Sequence, residues 1–97
     1  MKTEITNAVV SLLRDELEAR GISQAAAAAA MSIPRSRLTD IIHGRKRISI
    51  DTALRLERFL GMRAALWLGL QQDYELGRAR QEIIETIEME VTPAIAS

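Results

Sequence analysis

Residues 23–43, SQAAAAAAMSIPRSRLTDIIH, contain two short helical patterns separated by a break of three residues, Ser-Ile-Pro. Ser23 is a favoured N-cap and alanine is the strongest intrinsic helix former, so a helix is predicted over residues 24–31. The residue before a proline is biased out of the α region, whereas proline itself suits the first turn of a helix. A second helix with one apolar side is therefore predicted over residues 34–43.

The flanking sequence predicts three more helices, joined by short connections. Apolar residues recur at three- and four-residue spacing over residues 3–20, 50–60 and 63–80, which is the pattern of amphipathic helices. Residues 83–91, IIETIEMEV, fit either a helix or a strand. Five helices in 97 residues predict an all-α domain with a short C-terminal extension that is a helix or a strand.

The charges of the chain are segregated, although its formal net charge is zero. Residues 34–47 contain five Arg or Lys residues and one acidic residue, whereas residues 82–97 contain four Glu and neither Lys nor Arg. We therefore divide the chain into a domain at residues 1–81, with the paired helices at about 23–43, and an acidic extension at residues 82–97. The basic segment is typical of a surface that binds nucleic acid.

The composition argues against several classes of chemistry. The chain has no cysteine, which excludes disulfides, thiolate catalysis and cysteine-ligated metals, and its single histidine, His43, has no second ligand nearby in sequence. The sequence has no plausible Ser-His-acid set and no glycine-rich phosphate loop, so we expect no enzyme, no metal and no cofactor. Neither a signal peptide nor a membrane span is evident, and we predict a cytoplasmic protein.

Two short helices joined by a tight turn, the second rich in polar and basic residues, form a helix-turn-helix signature. In such a unit the second helix lies in the major groove of DNA and the first helix braces it. The two helices must cross closely, which requires a small residue on the first helix at the crossing, and Ala28 stands at that position. Leu38 and Ile41 of the second helix are then expected to dock beneath it.

Longer stretches of the sequence resemble the Xre/Cro-type regulators and, more closely, the HigA (VapI-like) antitoxins. The similarity covers residues 22–77 and rests on IPRSR at 33–37, HGRKR at 43–47, DTALRL at 51–56, LWLGLQ at 66–71, and Tyr74. The resemblance implies a lambda-repressor-like helix-turn-helix fold. The family usually has glycine where this chain has Ser32, so Ser32 is expected to adopt a left-handed backbone with some strain.

Members of this family are dimeric repressors of their own operon that bind a RelE-like ribonuclease toxin, and the resemblance implies the same roles here. It implies that four residues face the base edges: Arg35, Ser36, Thr39 and Asp40. It implies that five residues contact phosphates: Gln24, Arg37, Arg45, Lys46 and Arg47. The fifth helix carries our predicted dimer interface, a line formed by Leu66, Leu70, Tyr74 and Gly77.

The function predicted from the sequence is a sequence-specific DNA-binding antitoxin that neutralises a RelE-like toxin and represses its own operon. Two alternatives remain open: a free-standing Xre-family regulator without a toxin, and a helical interaction module that has lost DNA binding. The acidic extension is either a solvated face or a clamp for a basic toxin. The expected partners are double-stranded operator DNA, a RelE/HigB-like toxin and a second copy of the chain, with no membrane.

Overall fold

The computed structural model describes residues 4–94, which form five helices and no strand. The helices are α1 (Ala8–Ala19), α2 (Gln24–Met31), α3 (Arg35–Ile42), α4 (Ile50–Leu60) and α5 (Ala64–Glu90). The prediction of an all-α domain with five helices is confirmed. The bounds of α2 and α4 agree with the predicted ones, and α3 is one residue shorter at each end.

Polar side chains cap three of the helices. Asn7, Ser23 and Ser49 precede α1, α2 and α4, and the side-chain oxygen of each accepts hydrogen bonds from backbone N–H groups of the first turn, at 3.1 to 3.4 Å. The cap at Asn7 also corrects the prediction that the first helix starts at residue 3. Residues 4–7 are not helical, and Thr3 lies outside the described residues.

The turn between α2 and α3 passes through a left-handed residue, as expected. Ser32 has φ 54° and ψ 44°, and it is the one non-glycine residue within 4–94 with a positive φ. Backbone N–H groups of Ser32 and Ile33 return to the carbonyls of Ala29 and Ala28, both at 3.1 Å. These bonds satisfy the end of α2 while the chain reverses into Pro34, so the sharp turn is built without glycine.

The alanine run of α2 divides between the core and the solvent. Ala27 and Ala28 are buried, whereas the other four alanines are exposed. The burial of Ala28 agrees with its expected place at the crossing with α3. The largest fully buried side chains come from the other helices and the loop before α4: Leu13, Leu38, Ile48, Thr52, Leu56 and Trp67. Small residues on α2 therefore let bulky neighbours approach its backbone.

Three arginines fasten the ends of other helices. Arg14 donates to the carbonyl of the last residue of α3 at 3.3 Å, Arg20 to that of α4 at 3.0 Å, and Arg55 to that of α2 at 2.9 Å. The last carbonyls of a helix lack partners within the helix and carry partial negative charge, so cationic donors stabilise them. These guanidinium groups therefore serve the fold.

The fifth helix is longer than predicted. It runs for 27 residues, so the ambiguous segment at 83–91 is helical through Glu90. Its first half packs on the domain through buried Trp67 and Gln71, whereas no residue between 81 and 94 is buried. The helix passes position 81 without a break, and the division into residues 1–81 and 82–97 stays a prediction.

Candidate nucleic-acid interface

The outward face of α3 carries the four residues predicted to read bases. Arg35 and Ser36 are exposed in its first turn, and Thr39 and Asp40 are half-buried one turn later. Residues four apart in a helix share a face, so the four side chains form one surface. The opposite face is buried in the core through Leu38, Ile41 and Ile42. The packing of these apolar side chains therefore turns the polar surface outward.

Both cationic side chains of α3 are unpaired. Arg35 and Arg37 are exposed, and neither guanidinium forms a hydrogen bond or an ion pair within the described residues. The pKa of the Asp51 carboxyl is lowered, mainly because it accepts a hydrogen bond from Arg55 at 2.7 Å. The positive charge of Arg37 nearby contributes to the same lowering. Both α3 arginines are thus available to an anionic partner.

The start of α2 reaches α3 through one side-chain contact. The Thr39 hydroxyl donates to Oε1 of Gln24 at 3.4 Å. Gln24 is the first residue of α2 and follows the N-cap Ser23, where backbone N–H groups favour an anion. The structure therefore brings a predicted phosphate contact beside a predicted base contact.

Asp40 is tied to the loop that follows α3. We call residues 44–48 (Gly-Arg-Lys-Arg-Ile) the basic loop. The Asp40 carboxylate accepts a hydrogen bond from Nε of Arg45 at 3.0 Å and lies 3.9 Å from Nζ of Lys46. Its backbone carbonyl also accepts from the N–H groups of both residues, at 2.7 and 3.2 Å. Asp40 thus organises the loop, and its predicted contact with a base stays a prediction.

Arg47 of the basic loop is held by α5. Its Nε and a terminal nitrogen donate to the two carboxylate oxygens of Glu75 at 2.8 and 2.9 Å. This paired geometry is the strong form of an arginine–carboxylate contact. The hydrogen bond and charge of Glu75 raise the pKa of Arg47, and the same hydrogen bond from Arg47 lowers the pKa of Glu75.

The backbone of the basic loop is anchored one turn earlier on the same helix. The buried side-chain amide of Gln71 accepts from the N–H of Ile48 at 2.6 Å and donates to its carbonyl at 2.9 Å. One amide therefore satisfies both backbone groups of a buried residue. Gln71 thus fixes the position of the loop relative to α5, and Glu75, one turn further along the helix, forms its ion pair with the neighbouring Arg47.

Sequence reasoning missed the roles of Gln71 and Glu75. Their partners lie 23 and 28 residues away in the chain, so no local spacing rule connects them. A glutamine four residues before a glutamate on a helix places both on one face, which is the only local signal. The three helix-end arginines were missed for the same reason, since each contact joins two different helices.

The predicted dimer line on α5 is mostly turned towards the domain. Leu66 is exposed, Leu70 packs partly against the core, and the guanidinium of Arg78 lies 5.7 Å from the ring centre of the half-buried Tyr74. A Cβ added at Gly77 would lie 3.5 Å from Ile5. Other apolar residues of α5 are exposed: Leu76, Ile83, Ile87 and Met89. The dimer assignment stays a prediction.

His43 lies at the end of α3, as expected, where its Nδ1 is 2.8 Å from the carbonyl oxygen of Thr39. Residues 4–94 contain no group of three or more His, Cys, Asp or Glu side chains arranged to hold a metal ion. Within the same residues, none of the helices has the length and apolar character needed to cross a membrane.

A family model described as helix-turn-helix matches residues 13–68. The chain belongs to this helix-turn-helix family. The matched region runs from the middle of α1 to the first turns of α5 and contains the whole of α2, the turn at Ser32 and α3. Among curated proteins, the chain is similar to virulence-associated protein I of Dichelobacter nodosus, with 40% identity over 72 residues that make up 73% of this chain and 67% of that protein.

Solved structures extend the helix-turn-helix likeness over nearly the whole chain. The structure of the Pseudomonas aeruginosa antitoxin HigA with the higBA promoter has a TM-score of 0.88 and 33% identity, covering 95% of this chain and 100% of that one. A second structure from Pseudomonas aeruginosa, of a protein in complex with its 18-bp operator DNA, has a TM-score of 0.89 and 34% identity, covering 96% of this chain and 98% of that one. The resemblance to HigA antitoxins that the sequence indicated is confirmed.

Proposed function

We propose that this protein is a sequence-specific DNA-binding antitoxin that represses its own operon. The observation that carries the proposal is the exposed polar face of α3, where the guanidinium groups of Arg35 and Arg37 form no hydrogen bond or ion pair within the described residues. Two unpaired arginines at the exposed start of a recognition helix suit an anionic, groove-shaped partner. Similar proteins solved with a promoter or an operator support the proposal.

In the proposed complex, α3 lies in the major groove with its first turn towards the bases. Arg35 binds a guanine edge through two hydrogen bonds, and Ser36, Thr39 and Asp40 contact neighbouring bases. Asp40 reaches a base only after its contacts with Arg45 and Lys46 open or lengthen. The α2 helix keeps α3 in place, as the burial of Ala28 and Leu38 supports.

The phosphate contacts flank this reading face on both sides. Gln24 lies at the start of α2, where free N–H groups favour phosphate, and Arg37 extends from α3. On the other side the basic loop offers three cations, Arg45, Lys46 and Arg47. Contacts of this kind position a protein on DNA and make binding depend on salt, without reading the sequence.

The active form in this proposal is a homodimer in the cytoplasm. Two copies related by a two-fold axis would read a palindromic operator with half-sites about one helical turn apart, or a multiple of that distance. We place the contact between copies on α5, along Leu66, Leu70, Tyr74 and Gly77. The protein works by binding, with neither catalysis nor a cofactor.

The second proposed partner is a RelE-like ribonuclease toxin. The end of α5 offers it the acidic side chains of Glu82, Glu85, Glu88 and Glu90, all exposed. Exposed apolar residues, Ile83, Ile87 and Met89, lie on the same segment. A basic toxin would meet both charge complementarity and apolar surface there.

The decisive experiment measures binding of the purified protein to a labelled duplex of its own promoter and to a shuffled duplex of the same length, at about 0.1 M salt. We expect tight binding to the promoter and weak binding to the shuffled duplex. The double variant Arg35→Ala/Arg37→Ala should lose the preference, whereas the matched variant Arg63→Ala/Arg80→Ala should keep it. Equal binding of wild-type protein to both duplexes would contradict sequence-specific recognition.

A free-standing regulator without a toxin is the second candidate, because the α3 surface supports DNA binding whether or not α5 has a protein partner. Co-expression with the product of the adjacent gene separates the two. A stable complex with a small basic protein that arrests growth when expressed alone supports the antitoxin. An adjacent product that neither binds nor arrests growth supports the free-standing regulator.

A further inference from the structure

The cations of the basic loop are not equivalent in the free protein. Arg45 and Lys46 share one carboxylate, Asp40, and Lys46 is held only loosely at 3.9 Å. Arg47 instead has a carboxylate to itself, Glu75, with both oxygens hydrogen-bonded. The strongest ion pair on this surface therefore occupies a side chain whose sequence position suggests a phosphate contact.

The loop does not need this ion pair in order to hold its position. Gln71 already anchors the backbone at Ile48 through two buried hydrogen bonds, and Ile48 itself is 1% exposed. The Arg47 and Glu75 side chains are 67% and 42% exposed, so the pair lies at the surface. An exposed ion pair adds little to stability, whereas its occupation of the guanidinium has a direct effect on binding anions.

We propose that Glu75 competes with DNA phosphates for Arg47 and thereby limits the sequence-independent affinity of the protein for DNA. A phosphate offers the guanidinium a two-oxygen contact like that of the carboxylate, so the two ligands compete for the edge formed by Nε and one terminal nitrogen of Arg47. A phosphate takes this edge only by displacing Glu75, and at the remaining N–H groups it meets the negative charge of Glu75, so either contact yields a smaller net gain. Because phosphate contacts read no sequence, the restraint acts on every duplex.

This inference rests on the proposed DNA-binding function, and one experiment tests it separately. Binding of wild-type protein and of the Glu75→Gln variant to a random-sequence duplex is measured across a salt series. Glutamine keeps the shape of the side chain but removes its charge, so Arg47 becomes available. We expect affinity at about 0.1 M salt to rise roughly 3- to 10-fold and the slope of log affinity against log salt to steepen by up to about one.

The matched control is Glu18→Gln, which removes the same charge at an exposed position near the end of α1. It should raise affinity much less and leave the slope unchanged. The double variant Arg47→Ala/Glu75→Gln should return affinity to near the wild-type value, since the released group is gone. Arg47→Ala alone should change affinity less than it does in the Glu75→Gln background.

Several results would overturn the proposal. Weaker binding by Glu75→Gln would mean that Glu75 positions Arg47 for phosphate, and an unchanged affinity and slope would mean that Arg47 stays away from DNA. Equal rises for Glu75→Gln and Glu18→Gln would mean that the effect comes from net charge alone. Failure of the wild-type protein to bind any duplex at low salt would contradict the proposed function itself, a result distinguishable from all of these.

Discussion

Helix α3 and the basic loop are adjacent in the chain and supply cations to the same surface, but they are built in opposite ways. Apolar packing of Leu38, Ile41 and Ile42 holds α3, and its arginines at 35 and 37 are left unpaired. Polar contacts of Asp40 and Gln71 hold the loop, and each of its cations lies within 4 Å of a carboxylate oxygen.

The comparison shows that the number of basic residues in a segment is not the number of cationic side chains available to bind an anion. In the proposed complex, an unpaired arginine on α3 would form its DNA contact without losing another partner, whereas a loop cation would exchange one anionic partner for another. The sequence contains five basic residues between 34 and 47, yet the side chains of two of them, Arg35 and Arg37, form no hydrogen bond or ion pair within the described residues. A surface that looks uniformly basic in sequence therefore has two parts: α3, whose arginines form no ion pair, and the basic loop, whose cations all do.

The largest expected effect tests the polar construction of the loop. Gln71→Leu should lower the free energy of unfolding by about 2–4 kcal/mol, because it leaves the buried N–H and carbonyl of Ile48 without partners. Chemical denaturation measures the loss. Gln72→Leu, an exposed neighbour on α5, should stay within about 0.5 kcal/mol of wild type. Equal stability of the Gln71 and Gln72 variants would show that the amide clamp does not hold the loop.

The second prediction concerns the unpaired part of the surface. Arg35→Ala should weaken binding to the preferred operator by about 1–3 kcal/mol and relax the preference at one base position. Competition binding against operator variants, each with one substituted base pair, locates that position. Arg63→Ala at the start of α5 serves as the charge-matched control. A loss spread evenly over every duplex would assign Arg35 to phosphate and remove it from the reading face.

The third prediction concerns the turn that delivers α3 to this surface. Ser32→Gly should raise the free energy of unfolding by about 0.5–1 kcal/mol, because glycine adopts the left-handed conformation without the steric cost that serine carries. Ser11→Gly, at an exposed position inside α1, should lower it by a similar amount. A thermal-unfolding series measures both changes. If Ser32→Gly is destabilising, the serine side chain contributes more to the turn than its backbone strain costs.

The smallest expected effect comes from the most loosely held loop cation. Lys46→Ala should weaken binding to all duplexes alike and flatten the salt dependence by about one unit or less, because its partner Asp40 remains nearby in the free protein. Salt titrations on operator and random duplexes measure the slope, with Arg80→Ala as the control. An unchanged slope would remove Lys46 from the phosphate contacts. A larger loss than for Arg35→Ala on the operator would reverse the ranking of the two parts.

Local sequence signals predicted the helices where caps and breakers mark both ends. The bounds of α2 and α4 follow from Ser23 and Ser49 at their starts and from a left-handed residue after each, Ser32 and Gly61. The predicted start of α1 was wrong because the apolar pattern extends to residues before Asn7, whereas the helix begins only after this N-cap residue. The end of α5 was missed because residues 83–91 alternate in a way that fits either period.

The sequence also predicted the outward residues of α3, because an amphipathic helix with one buried face leaves few other places for them. It did not predict which charged groups of different helices and loops meet. The ion pairs of Arg47 with Glu75, and the helix-end contacts of Arg14, Arg20 and Arg55, join residues 24 to 40 positions apart. Such contacts depend on how the helices are placed beside one another, and the spacing of residues within a single helix carries no information about that placement.

The sequence by itself determined the five-helix class, the crossing built on Ala28 and the basic character of the turn-and-helix surface, because propensity, capping and apolar spacing act between near neighbours. Only the tertiary structure decided which cations are available. Packing α5 against the basic loop brings Gln71 to Ile48 and Glu75 to Arg47, and this contact gives Arg47 a carboxylate partner from a distant part of the chain. The physical reason is that a cation binds an anionic partner less strongly when a carboxylate already lies beside it in space, whatever the distance between the two residues in the chain.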